Sequence, residues 1–233
     1  MNHKSQMVCD IFSELAPKYN KFNQVCSFGR YKAWLKQVAK EADTKPVHRM
    51  LDCASGTGDV AFCVANRCRP EEAVVTDFCE EMLEVAKARY AQGMSNGVKM
   101  SFEVEDAMDL PYEDESFDLV TVAYGIRNFE DRLQAMKEAY RVLKEGGRYI
   151  ILEFSTPRTI GYRELYNFYL DVAIPTIGGL FSQNKDGFEY FTQSIQNFPP
   201  REVIDQELHA CGFSTVRSKP LSTGIVSLYT ATK

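Results

Sequence analysis

The feature that most narrows what this chain can fold into lies between His48 and Glu153. There, short apolar runs rich in β-branched residues alternate with stretches of helical periodicity. Such alternation implies a parallel sheet whose strands are joined by crossover helices, a Rossmann-like α/β core. Strands are expected over 50–54, 73–77, 101–105, 117–123 and 149–153, and helices over 80–90 and 131–143, the second stopped by Gly146-Gly147. A last helix over 200–210 leads through Gly212 to two closing strands over 213–217 and 225–232. Two flanking pieces stand outside the alternation. Residues up to Ala42 read as two helices separated by a turn-prone stretch at 19–29, with Trp34 on the second. Residues 157–198 are rich in aromatic side chains, among them Tyr162, Tyr166, Tyr190 and Phe191, and could form a helical lid.

A chain of 233 residues with 45% hydrophobic content can bury one full core, so a single domain is expected. Its parts are N-terminal helices (1–45), a cofactor-binding core (46–157), a lid or substrate insertion (158–199) and a closing helix with strands (200–233). With 27 basic against 32 acidic residues, the formal charge of -5 offers no broad attraction to a polyanion, so nucleic acid is not an expected partner. The first residues lack a signal-peptide core and no long apolar run could span a bilayer, so the cytoplasm is the expected location. The seven cysteines include no Cys-x-x-Cys pair, which argues against metal and disulfides; reduced thiols filling small apolar spaces are expected.

The strongest local signal is Leu51-Asp52-Cys53-Ala54-Ser55-Gly56-Thr57-Gly58-Asp59, a strand entering a glycine turn that opens a helix. Gly56 and Gly58 let a ligand approach the backbone. Asp77, at the end of the second strand, can accept hydrogen bonds from a ribose diol, an arrangement that serves a dinucleotide or S-adenosylmethionine (SAM) equally well. Asp59 separates the two, because a carboxylate in the first helical turn would repel a pyrophosphate but suits the ammonium group of SAM. Asp106-Ala107 after the third strand adds an acceptor for the adenine amino group. The cofactor site is therefore expected to include Asp52, Ser55, Gly56, Thr57, Gly58, Asp59, Asp77, Phe78, Asp106, Ala107, Ala123 and Tyr124. The plainer alternative makes Asp59 and Asp106 helix caps and Asp77 a loop carboxylate.

Three further blocks carry a family resemblance: Tyr124-Gly125-Ile126-Arg127-Asn128-Phe129, Arg141-Val142-Leu143-Lys144-Glu145-Gly146-Gly147 and Leu152-Glu153-Phe154-Ser155-Thr156-Pro157. With Tyr19-Asn20-Lys21-Phe22-Asn23 and Ser194-Ile195-Gln196-Asn197-Phe198-Pro199, the chain resembles the UbiE/MenG methyltransferases over nearly its whole length. It departs from them at Tyr31-Lys32, where the family usually has His-Arg, at Ala123, where a small hydroxyl residue is common, and at Glu105, often glycine. The resemblance implies the class I SAM-dependent methyltransferase fold, with a mostly parallel seven-stranded sheet, helices on both faces and a helical lid. It also implies C-methylation of a prenylated quinol in menaquinone or ubiquinone biosynthesis, most simply demethylmenaquinol to menaquinol. A soluble phenol or other small metabolite is the alternative acceptor.

That reaction needs no metal. It requires in-line alignment of sulfur, methyl and ring carbon, and stabilisation of a developing phenolate. Arg127 and Asn128, at the carboxyl end of the fourth strand, are the expected catalytic pair, Arg127 stabilising the phenolate; the structural alternative pairs Arg127 with Glu130 or Asp131. None of His3, His48 and His209 is well placed as a base, so a carboxylate-activated water, Tyr19 or Tyr190 stay open, the tyrosines also as substrate contacts. The aromatic segment could line a slot for a polyprenyl tail and touch the inner face of a membrane, or simply pack as core. Homo-oligomer formation stays open too.

Overall fold

The computed structural model describes residues 3–179, 181 and 185–233. Three helices come first: α1 (His3–Leu15), α2 (Tyr19–Cys26) and α3 (Tyr31–Ala42). The core follows as β1 (Arg49–Cys53), α4 (Asp59–Cys68), β2 (Glu72–Asp77), α5 (Glu80–Ala91), β3 (Lys99–Val104), β4 (Phe117–Ala123), α6 (Arg132–Val142) and β5 (Leu143–Phe154). The aromatic segment forms α7 (Tyr162–Phe168), a π-helical stretch at Tyr169–Ala173, α8 (Ile174–Gly178) and α9 (Lys185–Gln196). Residues 180 and 182–184 of the expected lid lie outside the described residues. The chain closes with α10 (Arg201–Ala210), β6 (Thr215–Leu221) and β7 (Val226–Thr232).

The sheet runs in the order β3-β2-β1-β4-β5-β7-β6, parallel except where β7 lies antiparallel between β5 and β6. Both faces are covered, so period-two alternation divides two apolar layers instead of core from water. Met50, Val75, Leu119, Ile150 and Leu152 face α3 and α4. Leu51, Val74, Val120, Val122 and Ile151 face α6 and α10.

Two local expectations need correction. Residues 19–26 form helix α2, not a turn; Phe22 is buried against Leu15 and Phe188, and that contact fixes a segment whose sequence reads as turn-prone. Gly146-Gly147 does not stop α6, which ends at Val142 where Leu143 turns extended. The glycines lie inside β5. A Cβ on Gly147 would come within 2.7 Å of the Lys144 carbonyl, so the bulge that shifts the β4–β5 register between Leu143 and Arg148 requires glycine there.

Candidate active site

All the chemistry-bearing loops leave the carboxyl ends of the parallel strands, around the point where β1 and β4 run side by side and the connections diverge, the place where doubly wound sheets bind ligands. Each strand end is sharply turned. Ala54 after β1 and Tyr124 after β4 both sit at positive φ (48° and 59°). Non-glycine residues held there carry about 1–3 kcal/mol of strain, which tends to collect at working sites. A Cβ on Gly125 would come within 2.6 Å of the Ala54 Cβ, so only glycine lets these two turns touch.

Two adjoining clefts open above these turns. One is walled by Tyr19, Gly56, Asp77, Phe78, Ala123, Tyr124 and Asn128, with Val8 and Phe12 of α1 across the top. The other, of about 420 Å³, is lined by Phe78, Asp106, Ala107, Met108, Asn128 and Phe129 and shares Val8. The Asp77 carboxylate accepts hydrogen bonds from the backbone N–H groups of Gly56 (2.8 Å) and Cys79 (2.9 Å), which fixes its direction. Burial pushes its pKa up to about 6 against those bonds. Asp106 accepts from the Met108 N–H at 2.9 Å and is exposed at the cleft rim. The residues fit an adenosyl ligand on three counts. A Cβ on Gly56 would fill the cradle, meeting the Met82 Cε at 3.0 Å; the Tyr124 hydroxyl is buried at the cleft wall without a partner; and Phe78, Met108 and Phe129 offer apolar faces beside the Asp106 carboxylate.

Several expected cofactor residues line neither cleft. Asp52 is fully buried beneath the turn, its Oδ1 accepting from Thr121 Oγ1 at 2.5 Å and its Oδ2 unpartnered, and burial pushes its pKa up to about 7. Ser55 donates to the Asp52 carbonyl at 2.6 Å, and Thr57 bonds the Asn20 amide. Gly58, at φ 79°, supplies the left-handed residue that opens α4. Asp59 requires correction as a partner for the donor's ammonium group. Its carboxylate is already held by Arg89 Nη2 at 2.7 Å and the Tyr31 hydroxyl at 3.0 Å. Arg89 neutralises the charge that was to repel a pyrophosphate, so Asp59 does not discriminate between the two cofactors.

Arg127 occupies a single helical turn, Ile126–Asn128, between β4 and α6. Its partner is not Glu130 or Asp131 but Glu153 at the end of β5, Nη1 to Oε1 3.0 Å, with side-chain exposures of 2% and 0%. The guanidinium also bonds the Tyr124 carbonyl and the Ser194 hydroxyl (3.2 Å) of α9, and lies 5.0 Å from the Phe191 ring centroid. It therefore ties the lid to the sheet, and its charge is balanced before any acceptor arrives. Asn128 is the member of the pair that reaches the clefts, and its Oδ1 accepts from the Tyr190 hydroxyl of α9 at 3.2 Å. Tyr19 separates the cofactor cleft from a small cavity bounded by Phe22, Arg127, Tyr190 and Phe191. Burial raises the pKa of both Tyr19 and Tyr190, which makes them hydrogen-bond donors at neutral pH, not bases. His48 and His209 line neither cleft, and the His3 side chain lies outside the described residues.

Sequence reasoning missed Glu153, Ser194 and the contribution of α1. A glutamate closing an otherwise apolar strand, Tyr149-Ile150-Ile151-Leu152-Glu153, was the available signal for the first: a buried acid needs a cation.

A Rossmann-like core with this strand order, an acid at the end of β2 and a glycine cradle after β1 defines a class I methyltransferase fold. A SAM-dependent methyltransferase of Thermotoga maritima shares it, with a TM-score of 0.67 at 21% identity over 97% of this chain and 99% of that one. The chain belongs to the ubiE/COQ5 methyltransferase family, whose model matches residues 1–233. It is 39% identical to the ubiquinone/menaquinone biosynthesis C-methyltransferase UbiE of Geotalea daltonii, over 100% of this chain and 99% of that protein. It is 37% identical to the demethylmenaquinone methyltransferase of Bacteroides fragilis, over 99% and 94%. Family membership, not Asp59, separates a methyl donor from a dinucleotide.

Proposed function

We propose that this methyltransferase uses SAM to methylate a ring carbon of a prenylated quinol, most simply demethylmenaquinol to menaquinol. The observation that carries the prenylated acceptor is a row of adjoining cavities with shared aromatic walls between the cofactor cleft and the surface. Tyr19 is shared by the cofactor cleft and the cavity beside Arg127. Phe22 and Phe191 are shared by that cavity and the next, which Tyr166 and Ile195 also line. Cys26, Tyr166 and Tyr169 are shared in turn with an open groove of about 530 Å³. A ring held near Tyr19 and Asn128 would thus have an apolar path for its tail, through gates made of aromatic side chains.

Bound SAM supplies an electrophilic methyl group on a sulfonium. Asp77 would orient the ribose, and Asp106, beside Phe78 and Phe129, would receive the adenine. Tyr19 and Asn128 stand where the acceptor ring meets the cofactor cleft, and their hydrogen bonds would fix one ring face toward the donor and hold the ring oxygen as negative charge develops on it. Arg127 positions Asn128, the lid and the Tyr124 turn. Among the described residues that line the clefts, none is a histidine or lysine placed to act as a base. The proton of the ring hydroxyl would leave to water, and the hydrogen bonds of Tyr19 and Asn128 would hold the oxygen anion that remains.

Phe28 (78% exposed) and Leu165 (62%) line the groove, and Ile160 (81%) and Phe168 (61%) are exposed just before α7 and at its end. No described helix is long and apolar enough to cross a membrane. Such a patch, with Arg30 at the groove, suits a cytoplasmic enzyme resting on an anionic membrane face to collect its substrate. In the test, Phe191→Trp, which narrows the route, should slow turnover of long-tailed quinols and spare short-tailed ones, and Phe28→Asp/Leu165→Asp should abolish flotation with anionic liposomes. Equal loss for all tail lengths, or no wild-type flotation, would remove the respective part of the proposal.

A further inference from the structure

Among the described residues a cluster of two thiols, a carboxylate and a hydroxyl lies outside the methyl-transfer machinery, at the seam between α1 and the start of α5, where the cysteine spacing gave no reason to expect a metal. Cys9 and Ser13 stand one helical turn apart on α1, and Cys79 and Glu81 stand at the opening of α5. The Cys9 and Cys79 Sγ atoms and a Glu81 carboxylate oxygen lie within 4.8 Å of one another. Ser13 Oγ sits among them, 3.1 Å from Cys79 Sγ, 3.0 Å from Glu81 Oε2 and 3.8 Å from Cys9 Sγ; Cys79 Sγ is 3.3 Å from the same Glu81 oxygen. A tetrahedral zinc ion with Zn–S near 2.3 Å and Zn–O near 2.0 Å sets its ligands about 3.3 to 3.8 Å apart, so the Cys79, Glu81 and Ser13 atoms already stand near that range, and Cys9, within 4.8 Å of Cys79 and Glu81, would close in on the ion. Both thiols are buried while Glu81 reaches solvent, which leaves an entry path for an ion.

We infer that Cys9, Cys79, Glu81 and Ser13 form a binding site for a thiophilic divalent cation of the Zn2+ class that latches α1 across the cofactor cleft. Two thiolates and a carboxylate select zinc over magnesium or calcium, with the Ser13 hydroxyl or a water completing the shell. On binding, the Cys9 and Cys79 thiols lose their protons to solvent as two metal–sulfur bonds form, and no electron transfer occurs. The mechanical consequence follows from the neighbours of Cys9. Val8 and Phe12 on the same helix close the cofactor cleft, and the Cys79 N–H holds the Asp77 carboxylate. An ion bridging Cys9 to Cys79 therefore fixes the cover helix to the loop that orients Asp77. Cofactor exchange should slow when the ion is bound.

The site is tested on the purified full chain, reduced and stripped with a chelator, then titrated with Zn2+ against a chromogenic competitor and with Cd2+ by its ultraviolet thiolate charge-transfer band. One ion per chain is expected. Cys9→Ala and Cys79→Ala should each weaken binding beyond the roughly 10–100-fold that loss of a merely supporting group costs, and Glu81→Gln should weaken it less. Cys68→Ala and Cys211→Ala should bind as the wild type does. Hydrogen exchange should slow in residues 3–15 on adding metal to the wild type but not to Cys9→Ala, which keeps its cofactor affinity as the control for folding. Undiminished binding in both Cys9→Ala and Cys79→Ala, or no charge-transfer band, would overturn the site. Thiolate binding without slowed exchange in α1 would overturn the latch.

Discussion

The Arg127–Glu153 pair offers a perturbation whose size follows from burial alone. Glu153 accepts both from Arg127 Nη1 and from the Phe154 N–H at 2.8 Å, with no exposure of its side chain. Removing the guanidinium leaves that carboxylate without a counter-charge, and breaking a buried pair from one side costs about 3–5 kcal/mol. For a chain of this length that lowers Tm by roughly 6–20 °C. Arg127→Ala should therefore lose stability as well as turnover. The Glu153 pKa is already raised by burial in spite of Arg127, and in the variant it rises further, so the penalty shrinks as pH falls and the stranded acid takes a proton. Arg127→Met/Glu153→Leu removes both charges and should recover most of the loss, because replacing a buried pair by apolar side chains is often neutral or better. Urea unfolding of Arg127→Met, Glu153→Leu and the double closes the cycle. Additive losses, within about 0.5 kcal/mol, would refute the pair's energetic coupling. Turnover by the stable double variant at the wild-type rate would refute any part for Arg127 in catalysis.

Three further perturbations probe the cofactor half. With Asp77 at about 6, adenosylhomocysteine affinity should hold above that pH and fall toward tenfold per unit below it, as the protonated carboxyl loses its capacity to accept both ribose hydroxyls; calorimetry from pH 5 to 8 should find this slope absent in Asp77→Asn. Asp52, raised to about 7 in the fold from an ordinary 3.8, binds more protons folded than unfolded between those values. Its contribution to stability therefore falls as pH rises from about 4 to 7, by up to about 4 kcal/mol, and unfolding of Asp52→Asn should show that part of the slope gone. Gly125→Ala would drive a methyl group into Ala54, 2.6 Å away; about 1–3 kcal/mol of stability should be lost together with cofactor affinity, and unchanged binding would show that the two turns can part freely.

Most of the sheet was legible because strands buried on both faces leave continuous β-branched runs, and the glycine turn and Asp77 mark the cofactor edge by spacing alone. Helix α2 was not legible. Its fold depends on Phe22 meeting Phe188 and Phe191, contacts far along the chain that local turn propensity does not register. The same holds for Asp59: its sign is in the sequence, but its neutralisation by Arg89 of α5 is a tertiary fact. Arg127 was found by motif, and its orientation was not, because an arginine beside acids at 130 and 131 gives no hint that its counter-ion is Glu153 of the neighbouring strand. The aromatic segment divides in a way composition could not foresee, with Tyr166 and Phe188 buried while Phe168 and Leu165 face outward.

The most direct measurement supplies the purified enzyme with methyl-labelled SAM and reduced demethylquinones of graded tail length, with soluble phenols alongside, and locates the label by mass spectrometry. The account predicts label on a ring carbon of the prenylated quinols, with soluble phenols left unmodified. Label on oxygen, or efficient conversion of the soluble phenols alone, would contradict it.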